Sequence, residues 1–166
     1  MEYFAFFKGK IGFDAPLRDE DGIYHPLPQD YSDMLGWDEL AVSAGNAWQK
    51  VADKAACFVY CENYGQAGAI TVLGKKYGLP QPVCFSESFF YWIPKALTVE
   101  ITSAIYVNDE LGEDIEAIFA DIIVAGEVTD TLAREFGAKV YLCTRPRRSF
   151  NQFWIETWPQ VKTPFN

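Results

Sequence analysis

The feature that most constrains this chain is an alternation of short apolar runs with segments of helical periodicity. The run Ala56-Cys-Phe-Val-Tyr60 is apolar at consecutive positions, the pattern of a strand covered on both faces. Before it, Trp37, Leu40, Ala41, Ala44, Trp48 and Val51 fall on one face of a helix predicted over Trp37–Ala52. Asp38 and Glu39 lie in its first turn, against the positive end of the helix dipole. After the run, a second helix is predicted over Gln66–Tyr77, with Lys75, Lys76, Gly78 and Pro80 as its stop signal. Pro82–Phe85, Thr98–Val107, Ile122–Ala125 and Ala138–Cys143 read as further strands. A helix over Glu110–Phe119 takes Asn108 as its N-cap, and an aromatic helix over Arg147–Trp158 closes the chain before Pro159. Residues 86–97 fit neither period and read as an aromatic loop. Strands joined through helices predict an α/β fold, a Rossmann-like three-layer sandwich with a mostly parallel sheet and helices on both faces. The stretch from Thr98 onward is the place for any antiparallel edge.

Three segments follow from this pattern. Residues 1–32 are a lead-in punctuated by Gly9, Gly12, Pro16, Gly22, Pro26 and Pro28, with a polar turn at Arg18–Gly22 and room for a short helix at 2–8. Residues 33–145 form the α/β domain, and 146–166 an aromatic closing segment. No run of apolar residues is long enough for a transmembrane helix, and Met1-Glu-Tyr-Phe-Ala-Phe-Phe7 is too short and too acidic for a signal peptide. The chain is thus either a cytosolic protein or a piece of a longer one.

Composition narrows the partners. Of the 166 residues, 49% are hydrophobic and 22% charged, which is enough for a sizeable core. Aromatic residues make up 16%, more than such a core takes up, so some line a groove or cover a surface that another part of a larger protein hides. A net charge of −9 argues against nucleic acid, and the one basic cluster, Arg145, Arg147 and Arg148, reads as a solvated loop. Cys57 and Cys61 share a strand, which holds their Cα atoms about 13 Å apart, beyond the reach of a disulfide. They and the remaining two cysteines, Cys84 and Cys143, read as buried thiols. With His25 as the single histidine and no Cys-x-x-Cys, neither a metal site nor a cofactor is expected. Gly65-Gln-Ala-Gly68 lacks the dinucleotide-binding spacing, and neither a P-loop nor a nucleophile elbow occurs.

In open α/β sheets ligands bind beyond the carboxyl ends of the strands. The first strand feeds Glu62, Asn63, Tyr64, Gly65 and Gln66 straight into a helix, so this loop is the best-placed candidate site. Gly65 permits a tight turn, and free N–H groups at the helix start can hold an anion or a sugar hydroxyl. Asn63 offers a donor and an acceptor, and Tyr64 a stacking face. Equally, Asn63 can cap the helix while Tyr64 packs over it. Acid–base work by paired carboxylates among Asp30, Asp33, Asp38, Glu39, Glu62 and Glu87 weighs less than their reading as caps or solvated groups.

Two stretches carry a family resemblance. Leu27-Pro-Gln-Asp-Tyr-Ser-Asp-Met-Leu-Gly-Trp-Asp-Glu-Leu40 is the first; Glu62-Asn-Tyr-Gly-Gln-Ala-Gly-Ala-Ile70 with Tyr77-Gly-Leu-Pro80 is the second. In this order they resemble the C-terminal water-soluble domain of bacterial membrane glycosyltransferases similar to dolichyl-phosphate-mannose–protein mannosyltransferases. The resemblance covers roughly residues 27–145 and is densest before residue 80. It implies a membrane half of the same polypeptide that transfers a sugar from a polyprenyl-phosphate donor and carries the catalytic aspartate. This chain would then be a non-catalytic, extracytoplasmic module that binds a sugar or glycan acceptor or docks onto the membrane half. Its expected ligand contacts are Glu62, Asn63, Tyr64, Gly65, Gln66, Tyr91 and Trp92, with Gln29, Asp30 and Trp37 as more structural second choices. One departure stands out. The family's Ser-Gly-His-Asn before its aromatics is here Ser86-Glu-Ser-Phe-Phe-Tyr-Trp-Ile-Pro94, which points to a different ligand or none. The rival readings are a free-standing Rossmann-like enzyme or binding protein for a small metabolite, cytoplasmic in that case, and a pure interaction domain.

Overall fold

The structure is a computed structural model that describes residues 6, 9, 10, 12, 17, 18, 22 and 24–161. The short helix expected at 2–8 lies mostly outside them. The polar turn expected at Arg18–Gly22 also lies mostly outside them; of its ends, Arg18 bridges Tyr24 in antiparallel fashion, and the Arg18 Nε donates to the Gly22 carbonyl at 3.1 Å.

The helices are α1 (Gln29–Ser32), α2 (Trp37–Lys50), α3 (Tyr64–Leu73), α4 (Glu113–Ile118) and α5 (Phe150–Thr157). The strands are β1 (Cys57–Cys61), β2 (Ser103–Asn108), β3 (Phe119–Glu127) and β4 (Lys139–Pro146). They form one sheet in the order β1-β2-β4-β3. The chain is α/β as expected, but the sheet is mixed. Only β1 and β2 run parallel, whereas β4 pairs antiparallel with both β2 and β3. The connection 128–138 is short enough to turn β3 back on itself into β4, and a short connection enforces antiparallel pairing. The strand expected at Pro82–Phe85 is reduced to one bridge, Val83 beside Tyr60. It is parallel and held by Val83 N–H to Val59 O (2.8 Å) and Cys61 N–H to Val83 O (2.9 Å). Asn108 ends β2 instead of capping a helix; Gly112 occupies the N-cap of α4. The aromatic loop contains a 3-10 turn, Glu87–Trp92.

Strand alternation splits the interior in two. Val59, Cys61, Ile105, Val107, Val140 and Leu142 face α2 and α3. Phe58, Ala104, Tyr106, Tyr141 and Cys143 face the other way, toward α4 and α5. Helices thus cover both faces. α2 lies close on the first face: a Cβ on Gly126 of β3 would sit 2.7 Å from Ser43 Cβ, and one on Gly45 would sit 2.6 Å from the Tyr77 ring in the turn after α3. The second face is packed with rings, Phe58 lying 5.1 Å from Phe150 and 5.0 Å from Trp154 between centroids. Trp154 Nε1–H donates to the Pro94 carbonyl at 2.8 Å, and Asn151 holds the 97–101 segment through Val99 O (2.9 Å) and Ile101 N–H (3.2 Å). Among the described residues no helix is long and apolar enough to cross a membrane.

The start of α2 is fastened to the 128–138 connection. Gly36 takes φ +82°, and a Cβ there would lie 2.7 Å from Val128 Cγ1 and 2.9 Å from Ala133 Cβ. The Glu39 carboxylate accepts from Thr129 N–H at 2.6 Å and Asp130 N–H at 3.3 Å. Trp37 Nε1–H donates to Asp33 O at 2.6 Å, and Arg134 N–H donates to Ser32 O at 3.2 Å. Gly36→Ala is expected to cost about 1–3 kcal/mol in denaturant unfolding, through backbone strain and overpacking together. Gly68→Ala, where a Cβ meets nothing within 4 Å inside α3, should be neutral or stabilising. A second expectation concerns acid. The Thr129 N–H, first among its partners, holds the Glu39 carboxyl below its ordinary value of 4.5. Its contribution to stability is then complete above pH 4.5 and lost as pH falls through the depressed value. Glu39→Gln should therefore melt lower than the parent at neutral pH, with the difference closing below that range in melting curves.

Candidate functional site

The carboxyl ends of the parallel strands carry two distinct cavities. The larger, about 470 Å³, opens on the ring-packed face. Its walls are Phe58, Tyr60 and Phe85 on one side, Phe150, Phe153, Trp154 and Trp158 from α5 and the turn after it, and Ile115 and Ile118 from α4. The Tyr60 and Tyr106 rings stack in parallel at 5.8 Å, and Phe85 stacks on Trp154 at the same distance. Polar atoms gather at one end: Asn108 Nδ2 donates to Tyr106 Oη at 3.0 Å, and Tyr106 Oη donates to Glu62 Oε2 at 3.3 Å. Burial, and after it the charge of Glu62, pushes both phenols well above the usual tyrosine range. They stay protonated and donate, which leaves the exposed Glu62 carboxylate as an acceptor at the mouth.

The second cavity is small, about 140 Å³, and polar. Asn63, Gln66, Asn108, Asp109, Arg134 and Glu135 line it with Phe136 and Ala138. Asn63 caps α3 by accepting the Gln66 N–H at 2.9 Å. Its own Nδ2 lies 3.4 Å from both Glu135 carboxylate oxygens, and Gln66 Nε2 donates to Glu135 Oε2 at 2.8 Å.

The expected site residues therefore divide. Glu62 belongs to the aromatic cleft; Asn63 and Gln66 build the polar pocket, where Asn63 is also the helix cap. Gly65 is a contact point, since a Cβ there would meet Trp37 at 3.0 Å. Tyr64, Tyr91 and Trp92 are 58%, 71% and 61% exposed and line neither cavity. The turn that carries Tyr91 and Trp92 packs against α3, with Trp92 edge-on to Phe89 at 5.3 Å. Gln29 lines a separate cavity of about 480 Å³ beside Ser32 and Ala133, and Asp30 lies in α1. Sequence reasoning missed Tyr106, Asn108 and Glu135, and did not connect α5 to the site. Phe150, Trp154 and Trp158 recur at four-residue spacing, a ring stripe that could have signalled it.

The arginine cluster is exposed, and two of its members are paired: Arg145 with Asp121 and Arg148 with Glu156 at 3.2 Å. Of the other carboxylates, Asp33 lies 3.3 Å from Arg134 and Asp38 lies 3.4 Å from Lys76. All four cysteines are free and buried. Desolvation raises each thiol, Cys143 to about 12, so the thiolate needed for nucleophilic attack is scarce at neutral pH. Among the described residues no group of three His, Cys, Asp or Glu is placed to hold a metal ion. No protein-family model, curated protein or solved structure matches the chain.

The thiols give a direct check on this interior. Incubated with a thiol reagent at pH 8, the native protein should react slowly at all four cysteines, and fast at all of them once unfolded in guanidinium. Rapid native modification at Cys61 or Cys84 would mean that the sheet end is open to solvent.

Proposed function

We propose that the chain is a carbohydrate-binding module, without a catalytic centre of its own, whose aromatic cleft takes a sugar. The observation that carries this is the Asn108–Tyr106–Glu62 hydrogen-bond chain at the mouth of a cavity walled by rings. A sugar has apolar C–H faces and a rim of hydroxyls. Flat rings suit the faces, and a carboxylate with a phenol and an amide beside it suits the rim. The upward-shifted thiols and phenols favour binding over nucleophilic chemistry. The motifs at Leu27–Leu40 and Glu62–Pro80 extend the reading. In it, the module is the extracytoplasmic part of a membrane-embedded glycosyltransferase, and its partner is a membrane half using a polyprenyl-phosphate-linked sugar. The exposed Tyr64, Tyr91 and Trp92, with Val72 on the same helix as Tyr64, would then be the surface that docks onto that half.

The test is a titration with mono- and oligosaccharides, followed by tryptophan fluorescence and calorimetry. Saturable binding that perturbs Trp154 or Trp158 is expected. Glu62→Gln should weaken it by roughly 10- to 100-fold, the range for losing a hydrogen bond to a charged group. If no saccharide binds, or Glu62→Gln binds as the parent does, the reading is wrong. Serine at Tyr91 and Trp92 should leave this affinity unchanged, because neither lines the cleft.

A further inference from the structure

Three of the four buried cysteines, Cys57, Cys61 and Cys84, lie on the α2–α3 face of the sheet, and two of them are neighbours. Val83 bridges Tyr60 in parallel, through Val83 N–H to Val59 O at 2.8 Å and Cys61 N–H to Val83 O at 2.9 Å. Cys84 is one residue beyond this bridge on its own segment, as Cys61 is on β1, so the two stand level. We propose that Cys61 and Cys84 are a disulfide pair, which a low-molecular-weight disulfide such as oxidised glutathione closes without a change of fold. Adjacent strands run about 4.8 Å apart, inside the roughly 4.4–6.8 Å between Cα atoms that a disulfide spans. Alternation sends Tyr60, Val83 and Phe85 to the ring-packed face and Cys61 and Cys84 together to the other. The Cys84 side chain turns toward β1: its Sγ lies 3.7 Å from the carbonyl of Glu62, the residue after Cys61.

No other pair of the four fits. Cys57 starts β1 and Cys61 ends it, which sets Cys57 about 13 Å from Cys61 and as far from a thiol level with Cys61. Cys143 belongs to the ring-packed face, with the sheet between it and the other three. Both Cys61 and Cys84 are fully buried in the folded chain, so the oxidant meets them before the sheet closes over them. One thiolate attacks a sulfur of the oxidant, forms a mixed disulfide and expels a first thiolate. Folding then sets the second cysteine against that sulfur, and its thiolate displaces the remaining half of the oxidant. The two protons released by the cysteines are taken up by the two expelled thiolates; two electrons pass to the oxidant, which leaves as two thiols. The next residue on each segment, Glu62 and Phe85, lines the aromatic cleft, so the bond ties two of its wall segments together from beneath. The pairing does not depend on what the cleft binds.

In the test, reduced chain unfolded in guanidinium is diluted into buffer with reduced and oxidised glutathione and left to refold. Free thiols are then blocked in denaturant, and the products are mapped by fragmentation in a mass spectrometer. The refolded product should carry blocking groups at Cys57 and Cys143 only, with a cross-link joining Cys61 to Cys84. The same glutathione mixture kept in guanidinium should give this bond roughly tenfold less, because the folded state holds the two thiols together. The cross-linked protein should unfold at higher guanidinium than protein folded with reductant, and Cys84→Ala should abolish both the cross-link and that gain. The map of the parent chain needs no variant, so it decides the matter even if Cys84→Ala folds poorly. Refolded protein with all four thiols blocked, a different cross-link, glutathione retained at Cys61 or Cys84, or a cross-linked protein less stable than the reduced one each overturns the proposal. No saccharide enters the experiment, so its failure and the failure of the carbohydrate reading are separable.

Discussion

The hydrogen bonds from Gln66 and Asn63 to the Glu135 carboxylate tie the start of α3 to the connection between β3 and β4. Glu135 sits in the connection between the antiparallel strands, and the two amides start the helix that leaves the parallel pair. The same connection is held from its other side by Glu39, by Ser32 through Arg134 N–H, and by the close approach of Gly36. A segment without secondary structure of its own is thereby kept in one conformation. Ser32, Gly36 and Glu39 of the first sequence motif and Asn63 and Gln66 of the second take part in this fastening.

The two faces of the sheet are divided by residue size. Toward α2 the helix offers Ala44 and Ala47, and Ser43 lies against Gly126 of β3, so the helix sits close on the sheet and little space is left. Toward α5 the contacts are between large rings at several tilts, including 50° and 61° for the Phe58 pairs. Rigid plates at mixed angles tile poorly, and the cleft is the space that they leave. Its polar end arises because β1 and β2 are parallel. Register sets Tyr60 beside Tyr106, and the chain leaving β1 brings Glu62 to both hydroxyls.

Much of this is legible in the residues. The faces of α2, the stop at Gly78 with φ +77°, the buried run at β1 and the burial of all four cysteines follow from local chemistry. The Asn63 cap and the exposure of the arginines do as well, although Arg145 lies in β4 instead of a loop and the ion pairs to Asp121 and Glu156 come from tertiary packing. Strand direction does not, because β3 and β4 read the same whether they run with β2 or against it. Asn108 carries the composition of a helix cap, yet pairing with Lys139 extends β2 through it. Glu135 was invisible because its partners are distant in sequence. Tyr91 and Trp92 are exposed rings of the aromatic turn, and nothing in a single sequence distinguishes a ring that lines a cavity from one that faces water.

The mixed direction of the sheet also orders its assembly. The antiparallel pair β3–β4 closes only the connection 128–138, whereas β1 finds β2 across residues 62–102. Loop-closure entropy favours the first and delays the second. Glu135 rides on the early unit and Gln66 on the late one. The polar pocket, like the Tyr60–Tyr106 end of the cleft, therefore exists only once the slow, non-local pairing is complete.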